Sequence, residues 1–547
     1  MPPGDRDIFG CVGERAKCAP LRWHVRFVSS HTGADFAQAA ITEAARRALV
    51  FAALLEPPGA DKPPGADAPR PADCADGGAG ADEDGADEEG ADASLNAAQR
   101  RAVSAITGPR SQNGGCVLLF GPPGTGKTKT VVAAIDAVLR RKPHARVLAC
   151  APSDEAADLL ATRLLGCGSA AIAAARVVVS TCGCAGLLLL AQLGGGHFTH
   201  IVVDEAAQAL EPECLCALAL AGPETRVALS GDPWQLGPHV ASRAAMQLGL
   251  GKSLLQRLME QRESAGNGAT VVRLCENYRA HAALLEVPSR LFYASKLREA
   301  ADRDVTSSLL PWEHGGFALL TWGVCGRHMR ELDSPSFFNP LEAHKVAELI
   351  SLLVRSKTVQ CEPKDVGVLC AFRKQVLKLR TLLRSLGLGA VSVGQVYDFQ
   401  GAEMRVVIVS TTLSSRPFVG TASAVDGAAL PPIGLLDARR FNVAITRAKA
   451  LCIVVGHPHL LMTEPYWCDL VKYCQDHDAY RGASLDDLDT DTPRPADCAR
   501  CPGDDDGGAE SVVDRASALL GSADFDVMYP TDLHTIYSSE SSWRIIL

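Results

Sequence analysis

The sequence predicts an α/β protein with two doubly wound parallel-sheet domains. From residue 94 onward, short apolar runs alternate with helix-like stretches, which is typical of a parallel sheet covered by helices on both faces. The alternation starts again after residue 270, and only the first series contains a glycine-rich loop. A chain of 547 residues is also too long for one ordinary core. We therefore expect two α/β units in tandem.

The predicted domain borders follow changes in composition. Residues 1–56 form a short N-terminal segment with one predicted helix, Ala34 to Leu55. Residues 57–93 hold 11 acidic and 2 basic residues among Pro, Gly and Ala, and residues 484–547 hold 14 acidic and 4 basic residues. Such acidic segments bury little apolar surface, so we expect a disordered linker and tail. The two domains are predicted over 94–270 and 271–483.

The charge of the chain is unevenly distributed. Residues 94–483 carry 41 basic and 32 acidic residues, so a basic body lies between acidic flanks. A basic body suits a polyanionic partner, although many positively charged surfaces bind nothing. The apolar runs are too short to span a bilayer, and the N-terminus lacks the features of a signal peptide. Cysteines scattered through apolar segments favour free thiols over disulfides or zinc ligands. We expect a cytoplasmic protein without a membrane partner.

The strongest motif is a phosphate-binding loop between a predicted strand, 116–120, and a predicted helix, 128–141. Its glycines allow backbone N–H groups to turn inward, and the helix N-terminus adds partial positive charge. Lys127 can reach the β- and γ-phosphates, and the Thr128 hydroxyl can ligate Mg²⁺. The sequence therefore predicts a nucleoside triphosphate site. The loop consists of Gly121, Pro122, Pro123, Gly124, Thr125, Gly126, Lys127 and Thr128.

Polar residues follow two further predicted strands of the first domain. The apolar run at 200–203 ends in Asp204 and Glu205. Asp204 is placed to complete the Mg²⁺ site, and Glu205 to activate the attacking water. An acidic pair at a strand end can also cap a helix, but its position after the phosphate loop favours catalysis. Gln235 follows the next strand, where it can sense the γ-phosphate.

The second domain offers arginines. Arg279 lies in the sequence Asn-Tyr-Arg, and Arg447 lies in a basic segment that begins at residue 439. An arginine delivered across a cleft can accelerate phosphoryl transfer by about 10³–10⁵-fold. A single arginine is more often a surface residue, so the prediction depends on the whole set. The set predicts a nucleotide held between the two domains.

Taken in order, the motifs between residues 94 and 483 resemble those of superfamily 1 helicases of the Upf-like group. The resemblance is closest to the Armitage/Mov-ten branch, which SPSFFNP in particular favours. The motifs are LNAAQ at 95–99, ACAPSDEAADLL at 149–160, FTHIVVDEAAQALEPE at 198–213, GDPWQLGP at 231–238, ENYRAHAALLEVPSRLFY at 276–293, SPSFFNP at 334–340, GVLCAFRKQV at 367–376, VGQVYDFQGAE at 393–403 and RRFNVAITRAKA at 439–450.

The resemblance implies two RecA-like domains in a P-loop NTPase helicase core that uses ATP and Mg²⁺. It implies that Gln99 hydrogen-bonds adenine, that Tyr278 stacks on it, and that Glu403 faces the ribose side. The implied hydrolytic set is Lys127, Asp204, Glu205, Gln235, Arg279 and Arg447, with Thr128 and Asp204 as metal ligands.

The resemblance also implies ATP-dependent unwinding of RNA or 5′→3′ translocation on it, in RNA silencing or turnover. Single-stranded RNA is the expected partner, more than DNA, and the acidic flanks could bind proteins. Pro152, Ser153 and Thr181 would lie under the nucleic-acid backbone. Two residues depart from the family pattern: Asp154 stands where Asn is usual, and Leu413 where Arg is usual. Both changes should weaken binding to nucleic acid and make unwinding poor.

Two other functions fit the same motifs. Residues that hold a nucleic-acid backbone do not read the ribose 2′-OH, so a DNA helicase is possible on sequence grounds. The third interpretation is an ATP-switched clamp or scaffold that grips nucleic acid or protein without unwinding. Comparing ATP turnover with RNA and DNA separates the first two, and an unwinding assay separates both from the clamp.

Overall fold

The computed structural model describes most of the chain between residues 94 and 485. The predicted helix at 34–55 and the linker at 57–93 lie outside the described residues. No helix in the described part is long and apolar enough to cross a membrane. The described residues are 24–26, 94–108, 116–166, 176–190, 196–240, 242–264, 271–312, 316–331, 334, 336–399, 401–415, 434–485 and 542–545.

Eighteen strands are formed by the described residues. They are β1 (His24–Arg26), β2 (Cys116–Phe120), β3 (Val147–Ala151), β4 (Val177–Thr181), β5 (His200–Val203), β6 (Arg226–Gly231), β7 (Val271–Arg273), β8 (Glu276–Asn277), β9 (Arg298–Glu299), β10 (Leu319–Gly323), β11 (Met329–Arg330), β12 (Phe337–Phe338), β13 (Val366–Cys370), β14 (Ser392–Gln395), β15 (Met404–Ser410), β16 (Ala448–Gly456), β17 (Tyr480–Gly482) and β18 (Ser542–Ile545).

The helices alternate with these strands, as the sequence predicts for a doubly wound fold. They are α1 (Ala97–Thr107), α2 (Lys127–Arg141), α3 (Asp154–Gly166), α4 (Gly186–Leu190), α5 (Glu211–Leu218), α6 (Arg243–Gln247), α7 (Leu254–Ser264), α8 (Ala282–Phe292), α9 (Arg303–Thr306), α10 (Pro340–Arg355), α11 (Arg373–Ser385), α12 (Ala438–Ile445), α13 (Pro458–Thr463) and α14 (Pro465–Asp476).

The first sheet places the predicted catalytic motifs side by side. Its strand order is β1-β18-β4-β3-β5-β6-β2-β7, and the pairs from β4 to β7 are parallel. Parallel strands end at the same edge of a sheet, so the residues that follow β2, β5 and β6 meet there. Those residues are the phosphate loop, Asp204 and the segment that contains Gln235. Their strands are almost wholly buried, which explains their continuous apolar runs.

One predicted border is wrong. The sequence predicts that the second domain begins at residue 271, but β7 pairs in parallel with β2 and completes the first sheet. Alternation of strands and helices does not show which sheet a strand joins, and this strand returns to the neighbour of the phosphate-loop strand. The second sheet has the order β14-β13-β15-β16-β10-β17, with all its strands parallel.

Apolar packing joins the two sheets and their helices. Leu236 and Leu255 from the first domain belong to the same buried cluster as Phe441 and Leu451 from the second. Phe441 also contacts Phe292 of α8, with a ring-centroid distance of 6.2 Å. Buried apolar side chains of both domains therefore belong to one continuous core cluster.

Candidate active site

The phosphate loop wraps around the side chain of Lys127. Gly124 and Gly126 have φ values of +72° and +82°, which residues with a Cβ rarely adopt. A Cβ on Gly121 would lie 2.4 Å from Cγ of Lys127, so this position also needs glycine. The Lys127 ammonium donates a hydrogen bond to the Gly121 carbonyl at 2.7 Å and lies 3.9 Å from Glu205 Oε1. The loop thus holds its cation at the start of α2, where phosphates bind.

A cavity of 1540 Å³ opens between the two domains at this loop. The structure brings most of the predicted nucleotide-site residues to its wall, although they come from distant parts of the sequence. The predicted residues that line it are Pro122, Pro123, Gly124, Gly126, Lys127, Thr128, Asp204, Glu205, Gln235, Tyr278, Arg279, Glu403 and Arg447. Gly121 and Thr125 lie in the loop itself, behind these residues.

The acidic pair has two distinct environments. Asp204 is buried, and burial raises the pKa of its carboxyl; Glu205 raises this pKa further, while Thr128 and Lys127 lower it. Glu205 is more exposed and has a φ of +53°, a strained backbone for a residue other than glycine. Asp204 and the Thr128 hydroxyl offer neighbouring oxygen ligands, which fits Mg²⁺ with its preference for one or two carboxylates plus phosphate oxygens.

Gln208 holds the Glu205 carboxylate, a role that the sequence analysis missed. Its Nε2 donates to Glu205 Oε2 at 2.9 Å, and Gln208 also lines the cavity. The signal was present in the sequence, since Gln208 follows Glu205 by three residues directly after the strand end. A fixed carboxylate at this position can accept a proton from water without first reorienting.

Arg447 crosses from the second domain to the first. It is 2% exposed, and its Nη2 donates to Gln235 Oε1 at 2.9 Å. Burial and the nearby Arg279 lower the pKa of Arg447 to about 9. Its Nε is buried and has no hydrogen-bond partner among the described residues. Arg447 also lines the cavity, so a guanidinium is present there to meet an anionic group such as a phosphate.

Glu403 is held by two cations. Burial alone would raise the pKa of its carboxyl, but Lys449 at 2.6 Å and Arg279 at 2.8 Å hold it at about 2. Arg279 also donates to the Thr446 carbonyl at 3.2 Å. Glu403 lines the cavity as predicted for a ribose contact, and its visible role is to fix Arg279 and Lys449. Lys449 was not among the predicted site residues.

The Asn-Tyr-Arg segment rests directly on the phosphate loop. Asn277 Nδ2 donates to the Pro123 carbonyl at 2.6 Å, and the Tyr278 N–H donates to the Gly124 carbonyl at 2.9 Å. Asn277 Oδ1 accepts from the Arg279 N–H at 2.9 Å. Asn277 is buried and was not among the predicted site residues. It positions Tyr278 and Arg279 relative to the loop.

Tyr278 and Gln99 have different relations to the cavity. Tyr278 is 45% exposed and lines it, with its hydroxyl donating to Glu276 Oε2 at 2.6 Å. Gln99 is 1% exposed and is not among the lining residues. Its Oε1 accepts from the Asn96 N–H at 3.0 Å, and its Nε2 donates to the Thr125 carbonyl at 3.1 Å. The structure thus shows Gln99 supporting the phosphate loop, and its contact with adenine stays a prediction.

The three predicted nucleic-acid residues lie at one sheet edge. Pro152 and Ser153 follow β3, and Thr181 ends the neighbouring strand β4, where it pairs with Ala151. Ser153 is exposed, lines the cavity and accepts from the Ala156 N–H at 3.3 Å. Of the three, only Ser153 lines the cavity, and the contact of all three with nucleic acid stays a prediction.

Asp154 and Leu413, the two residues that depart from the family pattern, lie in different surroundings. Asp154 begins α3, and burial, followed by Glu155 and Asp158, raises the pKa of its carboxyl. Leu413 is 2% exposed. The Leu413 side chain therefore packs into the protein, and its place on the nucleic-acid path stays a prediction. Motif alignment gave its place along the chain but not the direction of its side chain.

The fold and this cavity define the class of P-loop NTPases with a two-domain helicase core. Two family models, each described as an AAA domain, match the chain. One matches residues 94–171 and 167–243, and the other matches residues 250–459. The chain is 40% identical to "RNA helicase Mov10l1" of Homo sapiens over 450 residues, which cover 72% of this chain and 36% of that protein. It is 30% identical to "Probable RNA helicase armi" of Drosophila melanogaster over 476 residues, covering 72% and 39%.

The chain therefore belongs to the Upf-like group of superfamily 1 helicases, in the Armitage/Mov-ten branch. This confirms the resemblance found in the motifs. The chain spans little more than a third of the length of these relatives. The chain is also similar to the crystal structure of an Arterivirus nonstructural protein 10 helicase, with a TM-score of 0.33 at 15% identity over 66% of this chain and 61% of that one. Among the described residues, no group of three or more His, Cys, Asp or Glu side chains could hold a metal ion by itself.

Proposed function

We propose that the chain is an RNA-stimulated ATPase that moves 5′→3′ along single-stranded RNA and unwinds RNA. The observation that supports this most is the single cavity that joins Lys127 and Glu205 of the first domain to Arg447 of the second. The names of the relatives favour RNA over DNA. Action in the cytoplasm, in RNA silencing or turnover, with protein partners at the acidic flanks, belongs to the same proposal.

The residues of the cavity divide the work of hydrolysis. Lys127 and the loop N–H groups bind the β- and γ-phosphates, and Thr128 with Asp204 would hold Mg²⁺. When bound, Mg²⁺ supplies neutralisation of the phosphate charge. Glu205, held by Gln208, accepts the proton of the attacking water. Arg447 stabilises the charge that develops on the phosphoryl oxygens.

Nucleic acid is proposed to lie along the edge formed by Pro152, Ser153 and Thr181. The exposed Ser153 lies on the cavity wall, so movement of its loop can report the state of the nucleotide to a bound strand. The basic composition of residues 94–483 adds attraction for phosphates that depends on salt concentration. The carboxylate of Asp154 at the start of α3 works against that attraction.

The test compares ATP turnover by the full chain with single-stranded RNA, with single-stranded DNA and with neither. Strand displacement is measured on an RNA duplex with a 5′ overhang and on one with a 3′ overhang. We expect RNA to stimulate more than DNA, and displacement to require the 5′ overhang. Equal stimulation by DNA would indicate a DNA helicase, and stimulation without displacement from either duplex would indicate a clamp.

A further inference from the structure

Five buried side chains form a row of hydrogen bonds that starts in the second domain, passes through two residues of the first domain and returns to the second. Asn442 Nδ2 donates to the Tyr293 hydroxyl at 2.7 Å, and this hydroxyl donates to Asp232 Oδ2 at 2.8 Å. Gln235 Nε2 donates to the same Oδ2 at 2.7 Å, and Arg447 Nη2 donates to Gln235 Oε1 at 2.9 Å. The catalytic assignments above include Gln235 and Arg447, but they give no role to the other three residues.

The directions of these hydrogen bonds fix the orientation of the Gln235 side-chain amide. Asp232 Oδ2 receives two hydrogens, one from Tyr293 and one from Gln235, so the carboxylate acts as a pure acceptor. Because Asp232 accepts the hydrogen bond from Gln235 Nε2, the amide oxygen of Gln235 faces Arg447. Burial and the Asp232 charge raise the pKa of Tyr293 well above its usual range, which keeps the hydroxyl protonated and able to donate.

Tyr293 and Asn442 are placed to link three catalytic segments. The Tyr293 ring contacts Phe120, the last residue before the phosphate loop, with centroids 6.3 Å apart. The second N–H of the Asn442 amide donates to the Trp234 carbonyl at 2.9 Å, directly beside Gln235. Asn442 lies on α12, and Arg447 follows the end of that helix. One hydroxyl and one amide therefore join the phosphate-loop strand, the Asp232–Gln235 segment and the arginine segment.

We propose that Tyr293 and Asn442 are positioning residues for ATP hydrolysis. They hold Asp232 so that Gln235 and Arg447 keep their alignment across the domain interface. Neither residue lines the nucleotide cavity, so they act through Asp232 and Gln235. This inference rests on the proposed ATPase function. It adds that the rate of ATP hydrolysis depends on the Tyr293 hydroxyl, which lies outside the nucleotide cavity.

The test is the Tyr293→Phe variant, which keeps the ring packing and removes the hydroxyl. We expect kcat for ATP to fall about tenfold, because the hydroxyl makes two hydrogen bonds of the row and both are lost. KM should stay within about twofold, because no phosphate contact is lost. The matched control is Tyr480→Phe in β17, which also loses a tyrosine hydrogen bond, the one that the hydroxyl donates to the Ala483 carbonyl at 2.6 Å. It should keep the wild-type kcat, because the Tyr480 hydroxyl takes no part in the row.

A second variant tests whether the two residues act in series. Asn442→Ala should lower kcat, and the double variant should be little slower than the slower single variant, since both changes break one row. A wild-type kcat in Tyr293→Phe overturns the proposal, and so do losses that multiply in the double variant. Absence of ATP turnover in the wild-type chain is a separate result, which would overturn the proposed function and this inference together.

Discussion

Replacing Arg279 by lysine keeps the positive charge and removes the planar fork. The guanidinium makes two hydrogen bonds, from Nε to Glu403 Oε2 and from Nη1 to the Thr446 carbonyl, and the side chain is 11% exposed. One ammonium cannot meet both acceptors at the same geometry. Glu403 keeps its ion pair with Lys449 at 2.6 Å, so the acidic partner is not left alone. The folded state should therefore change little.

The loss should instead appear in the rate. Removing an arginine finger altogether costs about 10³–10⁵-fold, and because lysine keeps the charge we expect a fall of about 10²-fold in kcat. The assay is steady-state ATP turnover at saturating ATP. The matched control is Arg290→Lys. The Arg290 guanidinium also makes paired contacts with a carboxylate, that of Asp469 at 2.8 Å, but its side chain is 43% exposed. Wild-type turnover by Arg279→Lys would refute a catalytic role for this arginine in the cleft.

Three further predictions follow from single residues. Glu205→Gln should bind ATP normally and hydrolyse it at least about 10²-fold more slowly, and wild-type hydrolysis would refute its role as base. Burial raises the pKa of Glu342 to about 8, so the folded state holds the proton of this carboxyl more tightly than the unfolded state does. The free energy of unfolding should therefore fall by up to roughly 5 kcal/mol as pH rises from about 4.5 to about 8. Urea unfolding of the Glu342→Gln variant should lack this fall. Leu413→Arg should cost about 3 kcal/mol or more of stability, whereas Leu386→Arg at a 49% exposed position should cost little; equal stability in urea would contradict the burial of Leu413.

Most of the catalytic residues of the first domain could be predicted because their motifs are short and continuous in the sequence. The phosphate loop needs its residues in one continuous stretch, because a strand end, a nest of N–H groups and a helix start are consecutive in space. Strand β5, which Asp204 follows, could likewise be predicted from its apolar run. Gln208 could have been found by the same reasoning, since it lies three residues after Glu205.

Contacts between distant residues could not be read in this way. The hydrogen bond between Tyr293 and Asn442 joins residues 149 positions apart, and no periodicity links them. Membership of β7 in the first sheet depends on where the chain returns after α7. The burial of Leu413 depends on the packing of the second domain, which a motif alignment does not contain. Each of these facts is decided by tertiary packing.

The central claim is that this chain hydrolyses ATP in the cavity between its two domains and does so faster on RNA. The most direct measurement is the ATP turnover rate of the full chain with saturating single-stranded RNA and without it, beside the Lys127→Ala variant. We predict that RNA raises the wild-type rate and that Lys127→Ala abolishes turnover under both conditions, because the phosphate charge then lacks its buried cation. Turnover that persists in Lys127→Ala, or a wild-type rate that RNA leaves unchanged, would contradict it.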